Sequence, residues 1–229
     1  MFQNLLLKPI YNALIFIAAM IPGNDLGISV VILVILIRLL LWPLFNKAAA
    51  SQAVMKIIQP EMEKIRKVHK DDQVAQAKEL MELYKRNNFN PFSSILVLFI
   101  QIPVLIALYQ VFLKGANGID SSLLYPGMVQ IDGFKTLFLG IFELSKPSLF
   151  LAAVSALLQG AASFFASKGS QDPSSKWLLY LSPVMTYFLV SNMPSVLALY
   201  WSLTTLFSIA QQLIIEKKYA EHGRNNPKT

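Results

Sequence analysis

The sequence has no cysteine, only two histidines and little charge. Without cysteine there are no disulfides, thiolate metal sites, cysteine nucleophile or lipid-modified N-terminal cysteine. His69 and His222 lie in polar segments with no partner at metal-ligand spacing, so both read as solvated. HExxH, Walker-loop and GxSxG patterns are missing, and with them the common enzyme signatures. No enzyme activity and no cofactor are therefore expected. No basic region opens the chain, and Lys8 interrupts the first apolar stretch, so no cleavable signal is expected. Charged residues make up 14% of the chain, against about 25% in soluble domains.

What is present is apolar. Hydrophobic residues reach 55% and mean hydropathy is +0.50. Five runs approach the roughly 20 apolar residues that cross a hydrocarbon core: Leu26 to Phe45, Phe92 to Leu113, Ser148 to Ala166, Trp177 to Met193 and Ser195 to Ile215. The expected fold is an all-α membrane protein with a five-span core. Between the first two runs, Ala48 to Asn88 is polar but helically periodic. One stripe is Val54, Ile57, Ile58, Met62, Ile65 and Val68; a second is Val74, Ala77, Leu80, Met81 and Tyr84. With His69-Lys70-Asp71-Asp72 between them, they predict a helical hairpin whose second helix is capped by an aspartate.

The N-terminal segment Met1 to Ile21 admits two readings. Asn4, Lys8 and Asn12 recur every fourth residue, which suits an interfacial helix; Ala13 to Ile21 is apolar all round, which would suit a sixth span. The interfacial helix is preferred. Phe134 to Leu144 is too short to cross and is expected to be interfacial. Pro43, Pro103, Pro183 and Pro194 are expected to kink or end helices.

Charge orients the chain. Lysines and arginines concentrate in short loops retained in the cytoplasm. Nine lie between the first two runs, two between the third and fourth, and four in the tail. The other side holds Lys8, Lys114, Lys135 and Lys146, balanced by Asp25, Asp120, Asp132 and Glu143. The hairpin and the basic tail after Ile215 are thus expected in the cytoplasm. Their basic excess either only fixes orientation or also attracts anionic lipids or RNA.

One charge remains. Arg38 sits inside VILVILIRLLLWPL, Val31 to Leu44, and none of the five runs contains Asp or Glu. A central arginine costs about 2.5–3.5 kcal/mol on insertion scales. Snorkelling toward the cytoplasmic surface is one explanation; a hydrated cavity between helices is the other. The polar faces favour the cavity: Ser155, Gln159 and Ser163 in the third run, Trp201, Thr205, Ser208 and Gln212 in the fifth, and Gln101 before Ile102-Pro103 in the second. Helix–helix hydrogen bonding accounts for each face separately, but not for the unpaired charge. The candidate groove residues are Arg38, Gln101, Ser155, Gln159, Trp201 and Thr205.

IRLLLWPL, IIQPEMEKIRK, LYKRNNFNPF, IQIPVLIALYQ, MPSVLALYW and IAQQLI occur in that order. In this the chain resembles the YidC insertases of bacteria and their mitochondrial and chloroplast relatives, from Leu26 to about Ile215. The resemblance implies five spans around a hydrophilic groove open to the cytoplasm and to lipid in the bacterial inner membrane. Arg38 and Gln101 match groove positions, Trp201 matches a substrate-facing aromatic, and the hairpin matches the mobile loop that receives clients. Val34 stands where some members carry a polar client-contacting residue. The implied partners are nascent membrane-protein clients and membrane lipids, with the Sec translocon, signal recognition machinery and ribosome as further candidates; action as a monomer is expected. Two rival functions remain at this point: a small anion transporter or channel built on Arg38, and a passive assembly scaffold.

Overall fold

The computed structural model describes residues 3–90, 99, 101–106, 108–110, 119–167 and 173–225. The fold is mostly helical. After a π-helical turn, Gln3–Leu7, come α1 (Lys8–Met20), α2 (Leu26–Leu40), α3 (Trp42–Val68) and α4 (Gln73–Arg86). An apolar piece, Gln101–Gln110, is α5. Then follow a 3₁₀ turn, Ser121–Leu123, the strands β1 (Leu137–Phe138) and β2 (Phe142–Glu143), and α6 (Leu149–Ser167), α7 (Pro173–Ser191) and α8 (Ser195–Asn225).

The first expected span is a bent pair. α2 has 15 residues, about 22 Å at 1.5 Å per residue, and meets α3 at 71°. Pro43 explains the break: it lacks the N–H that would bond to Leu39 O in a continued helix, and it is well placed in the first turn of a new one. α6 and the Ser195–Tyr219 part of α8 are long and apolar enough to cross a membrane, and the bent pair makes a third such element if counted as one span. α7 contributes the shorter apolar piece Leu179–Ser191. Most of the second expected span, from Phe92 onward, lies outside the described residues.

α3 and α4 fold back on each other. Ile58, Met62 and Ile65 of α3 close over Leu83 of α4 in a small core of their own. Asp72 caps α4, accepting from the backbone N–H of Val74 and Ala75 at 3.1 and 2.9 Å. The stripes meet only in part: Leu80 and Tyr84 pack against this core, whereas Ile57, Val68, Val74 and Met81 are exposed and Leu83, outside the second stripe, is the buried residue of α4. α3 begins six residues before the expected hairpin, directly at the break.

The main core joins Tyr11, Leu14 and Ile15 of α1, Leu26, Val30 and Val34 of α2, Ala152 of α6 and Val196, Leu197 and Tyr200 of α8. α1 spans 13 residues, about 20 Å, short of a roughly 30 Å hydrocarbon core. Asn12 is not on an exposed polar face as its spacing predicts. It is buried, donates to Leu123 O and accepts from Tyr125 N, both at 2.8 Å.

Segment 119–147 covers one end of the bundle. Its Phe134 to Leu144 stretch contains a two-stranded antiparallel hairpin, Leu137 facing Glu143 and Phe138 facing Phe142, which with a β-bridge between Asp25 and Lys135 departs from the all-α expectation. Strand β2 leads into the carbonyls of Leu144 and Lys146, which accept from Val196 N and Ser195 N at 3.1 and 3.0 Å. Those bonds satisfy N–H groups that the first turn of α8 leaves free. Lys135 pairs with the entry to α2, its O accepting from Leu26 N at 3.0 Å. Phe138 lies directly on Gly27: a Cβ there would come within 2.9 Å of the Phe138 Cβ and closer still to its ring.

Candidate functional site

At the opposite end, α3, α6, α7 and α8 enclose a cavity of about 350 Å³. α3 contributes Ala48 and Gln52, α6 Gln159 and Ser163, and α8 Ser208, Gln211 and Gln212. It has room for several waters. The small residues of α3 and α6 leave this space, and its glutamines and serines set polar groups into a lining that is otherwise mostly apolar.

Three polar ties draw α3 onto the bundle around the cavity. Gln211 donates to Asn46 Oδ1 at 2.6 Å. Lys56 pairs with Glu216 at 2.5 Å and also donates to the carbonyl of Phe165, joining α3, α8 and α6 through one ammonium. Glu216 accepts in addition from Gln212 Nε2 at 2.9 Å.

Arg38 lies beside this cavity, in the last turn of α2, where a cation suits the helix dipole. It is 4% exposed. Nη2 donates to Thr204 O at 2.6 Å and Ser208 Oγ at 3.1 Å, and the guanidinium carbon lies 4.1 Å from the centre of the Phe45 ring, within cation–π range. Nη1 is buried without a hydrogen-bond partner among the described residues. A second, smaller space of about 10 Å³ touches Arg38, lined by Val34, Gln101, Val104, Tyr200 and Thr204; that is about the least that holds one water. Arg38 therefore does not snorkel to an exposed surface. It is held inside the bundle, clamped to α8.

The structure brings some of the sequence-derived candidates together and leaves others apart. Gln101 joins Arg38 at the small space, donating to Tyr200 Oη at 2.7 Å. Gln159 lines the large cavity and accepts from Trp201 Nε1 at 3.3 Å. Ser155 lines neither. Its hydroxyl is fully buried in the α6–α8 seam, within 2.9–3.0 Å of Leu151 O, Ala198 O and Ser202 Oγ, which is helix–helix bonding. Thr205 is buried on α8 and is not among the residues lining either space. Sequence reasoning missed Tyr200, Thr204, Gln52, Gln211 and the Lys56–Glu216 pair. The two cross-bundle ties join residues 165 and 160 positions apart, so local periodicity carried no signal for them.

These features define a helical protein with membrane-crossing apolar helices, closed at one end and hollowed by a polar chamber at the other. The sequence profile of the 60Kd inner membrane protein family matches residues 16–222, and the chain belongs to that family. It is 34% identical to a membrane protein insertase YidC of Fusobacterium nucleatum over 220 residues, covering 92% of this chain and 98% of that protein. Proteins of the same description from Maridesulfovibrio salexigens and Francisella tularensis are also 34% identical, over 82% and 84% of this chain. The chain spans about one third of their length, 34% and 33%. Among solved structures, one described as an active YidC insertase with its first transmembrane domain resolved superposes with a TM-score of 0.59 at 26% identity. That match covers 82% of this chain and 41% of the other.

Proposed function

We propose that this chain is a membrane protein insertase that takes nascent clients from the cytoplasm and releases their apolar segments into the bilayer. The observation that carries the reading is a chamber with glutamine and serine side chains at the α3–α4 end, beside a buried arginine that has no acidic partner among the described residues. The basic excess around α3 and α4 assigns that end to the cytoplasm, with five spans and a cytoplasmic C-terminus. Segment 119–147 then caps the outer side.

On this reading the chamber is a polar route part-way into the membrane. A client's short outer segment enters it and keeps hydrogen-bonding groups near its backbone, each of which would cost several kcal/mol if left unsatisfied in hydrocarbon. Gln52, Gln159, Gln211 and Gln212 offer donors and acceptors along the way. Arg38, with Nη1 unpaired, is a temporary partner for a client Asp or Glu. Trp201, beside Gln159, faces the client's apolar segment. The membrane potential, positive outside, assists an acidic tail by about 2.3 kcal/mol per charge per 100 mV. Partitioning at about 0.8 kcal/mol per buried CH₂ then drives release into lipid, so client hydrophobicity dominates the last step. Clients and lipids are the partners this route requires; the ribosome, the signal recognition machinery and the Sec translocon are those that would deliver clients to it.

Proteoliposomes containing only this protein test the reading. A single-span client with a short tail should insert and leave its tail protected from added protease, well above the level in protein-free liposomes. Insertion equal to that background would refute the function. Chloride flux should stay at the lipid background; flux that depends on Arg38 would favour the anion-channel alternative.

A further inference from the structure

Arg38 and the polar chamber are neighbours, yet they are separated. Ser208 lines the chamber and accepts from Arg38, but the arginine itself is 4% exposed. Among the described residues, Phe45 is the one side chain that lines both places. Its ring covers the guanidinium at 4.1 Å, and it is 6% exposed.

Phe45 and Arg38 are also held by different parts of the fold. Arg38 is fixed to α8 through Thr204 and Ser208. Phe45 sits in the first turn of α3, four residues past the 71° break at Leu41. Pro43 removes a backbone hydrogen bond at that break, so α3 has a point about which to tilt while α2 stays in place. Beyond Phe45, α3 carries the small buried side chains Ala48, Ala49 and Ala53 and is tied down by polar contacts at Asn46 and Lys56, which water or a charged peptide can replace.

We propose that Phe45 is a gate: its ring closes the passage between the chamber and Arg38, and tilting of α3 withdraws it. With the ring in place the guanidinium is stacked and inaccessible. With the ring displaced, a carboxylate in the chamber takes over the face that the ring held. A carboxylate is a far stronger partner for a guanidinium than an aromatic face, so acidic segments hold the gate open better than neutral ones. The gate thus makes Phe45 a determinant of client choice; that purpose rests on the insertase reading, whereas the gate itself rests on the geometry.

The cysteine-free chain permits a direct test. Two single-cysteine reporters are needed: Val34→Cys at the small space and Ala162→Cys in the chamber wall. Both are treated, in proteoliposomes without client, with a water-soluble anionic methanethiosulfonate. In the Phe45 background Ala162→Cys should react and Val34→Cys should be protected. Adding Phe45→Ala should accelerate Val34→Cys at least tenfold and leave Ala162→Cys unchanged, while Phe45→Trp should keep Val34→Cys protected. Equal rates at Val34→Cys with Phe or Ala at position 45 would overturn the gate. So would a parallel rise at both reporters, which would mean a loosened bundle, or a Phe45→Trp chain that reacts like Phe45→Ala. Because labelling needs no client, a gate that behaves as expected in a protein that inserts nothing would refute the insertase reading alone.

Discussion

At the scale of single residues, the proposed function makes Arg38 a charge kept for client handling rather than for stability. It is buried with two donor contacts on α8, one aromatic face and an unpaired Nη1. Replacing buried charges by apolar groups of similar volume is often neutral or stabilising by about 1–4 kcal/mol. Arg38→Met should therefore melt in detergent no lower than the parent chain while losing acidic clients; a clear drop in melting temperature would mean that the clamp to Thr204 and Ser208 holds the fold. Ser155 should behave in the opposite way. Its hydroxyl joins α6 to α8 away from the chamber, so Ser155→Ala should cost about 0.5–1.5 kcal/mol and leave client preference unchanged, readable by thermal melting beside the insertion assay. The sequence made Arg38 conspicuous because an unpaired charge inside an apolar run has few inexpensive explanations. It could not separate Ser155 from Gln159: both share one helical face, and which part of that face meets α8 and which meets open space depends on where α3 crosses.

At the scale of elements, two junctions decide the shape. At one, Phe138 lies against Gly27 where α2 starts. Gly27→Ala should push the β1–β2 hairpin off α2 at a cost of about 1–3 kcal/mol, detected as a lower melting temperature and faster proteolysis within segment 119–147; an unchanged chain would mean that Phe138 simply turns aside. At the other junction, Lys56 ties α3 to α6 and α8. Both side chains are partly exposed, 19% and 27%, so the pair contributes at most about 1 kcal/mol. Lys56→Ala and Glu216→Gln should each raise labelling of a cysteine at Gln52 a few-fold, and the double variant should add little to either; additive effects would show that the two act independently. Helices α3 and α4 were legible because apolar residues recur at the helical period, α6 and α8 because they are long apolar runs, and the break at Leu41 was signalled by Pro43. The β1–β2 hairpin was not: strands of two residues have no period to read, and Phe134 to Leu144 looks like any short apolar segment. Asn12 misled because a polar residue at helical spacing looks solvent-facing until a distant loop is found to supply its partners.

At the scale of the whole molecule, the fold is asymmetric from end to end. Segment 119–147 supplies backbone partners to α1, α2 and α8 and packs apolar side chains beneath them, whereas the α3–α4 end is joined by a few polar ties around a cavity of about 350 Å³. The apolar side chains exposed on α7, among them Trp177, Tyr180, Val184 and Phe188, suit a surface bathed in lipid. On the proposed function, the chamber enters from one side and stops inside the membrane, which suits a device that shortens the apolar path for a polar segment and suits a conducting pore poorly. The overall class was readable from hydropathy, and lysine and arginine placement carries the proposed orientation. The enclosure of the chamber was not, because it depends on how four helices converge.

The most direct measurement compares two clients that differ only in an acidic or a neutral tail, inserted into proteoliposomes that carry either the parent chain or Arg38→Ala. The account predicts that Arg38→Ala lowers insertion of the acidic client about tenfold or more, the equivalent of about 1.4 kcal/mol, and leaves the neutral client close to the parent level. Equal insertion of each client by the two proteins, or an equal loss for both clients, would contradict it: the first would make the arginine incidental, and the second would make it a structural element with no part in choosing clients.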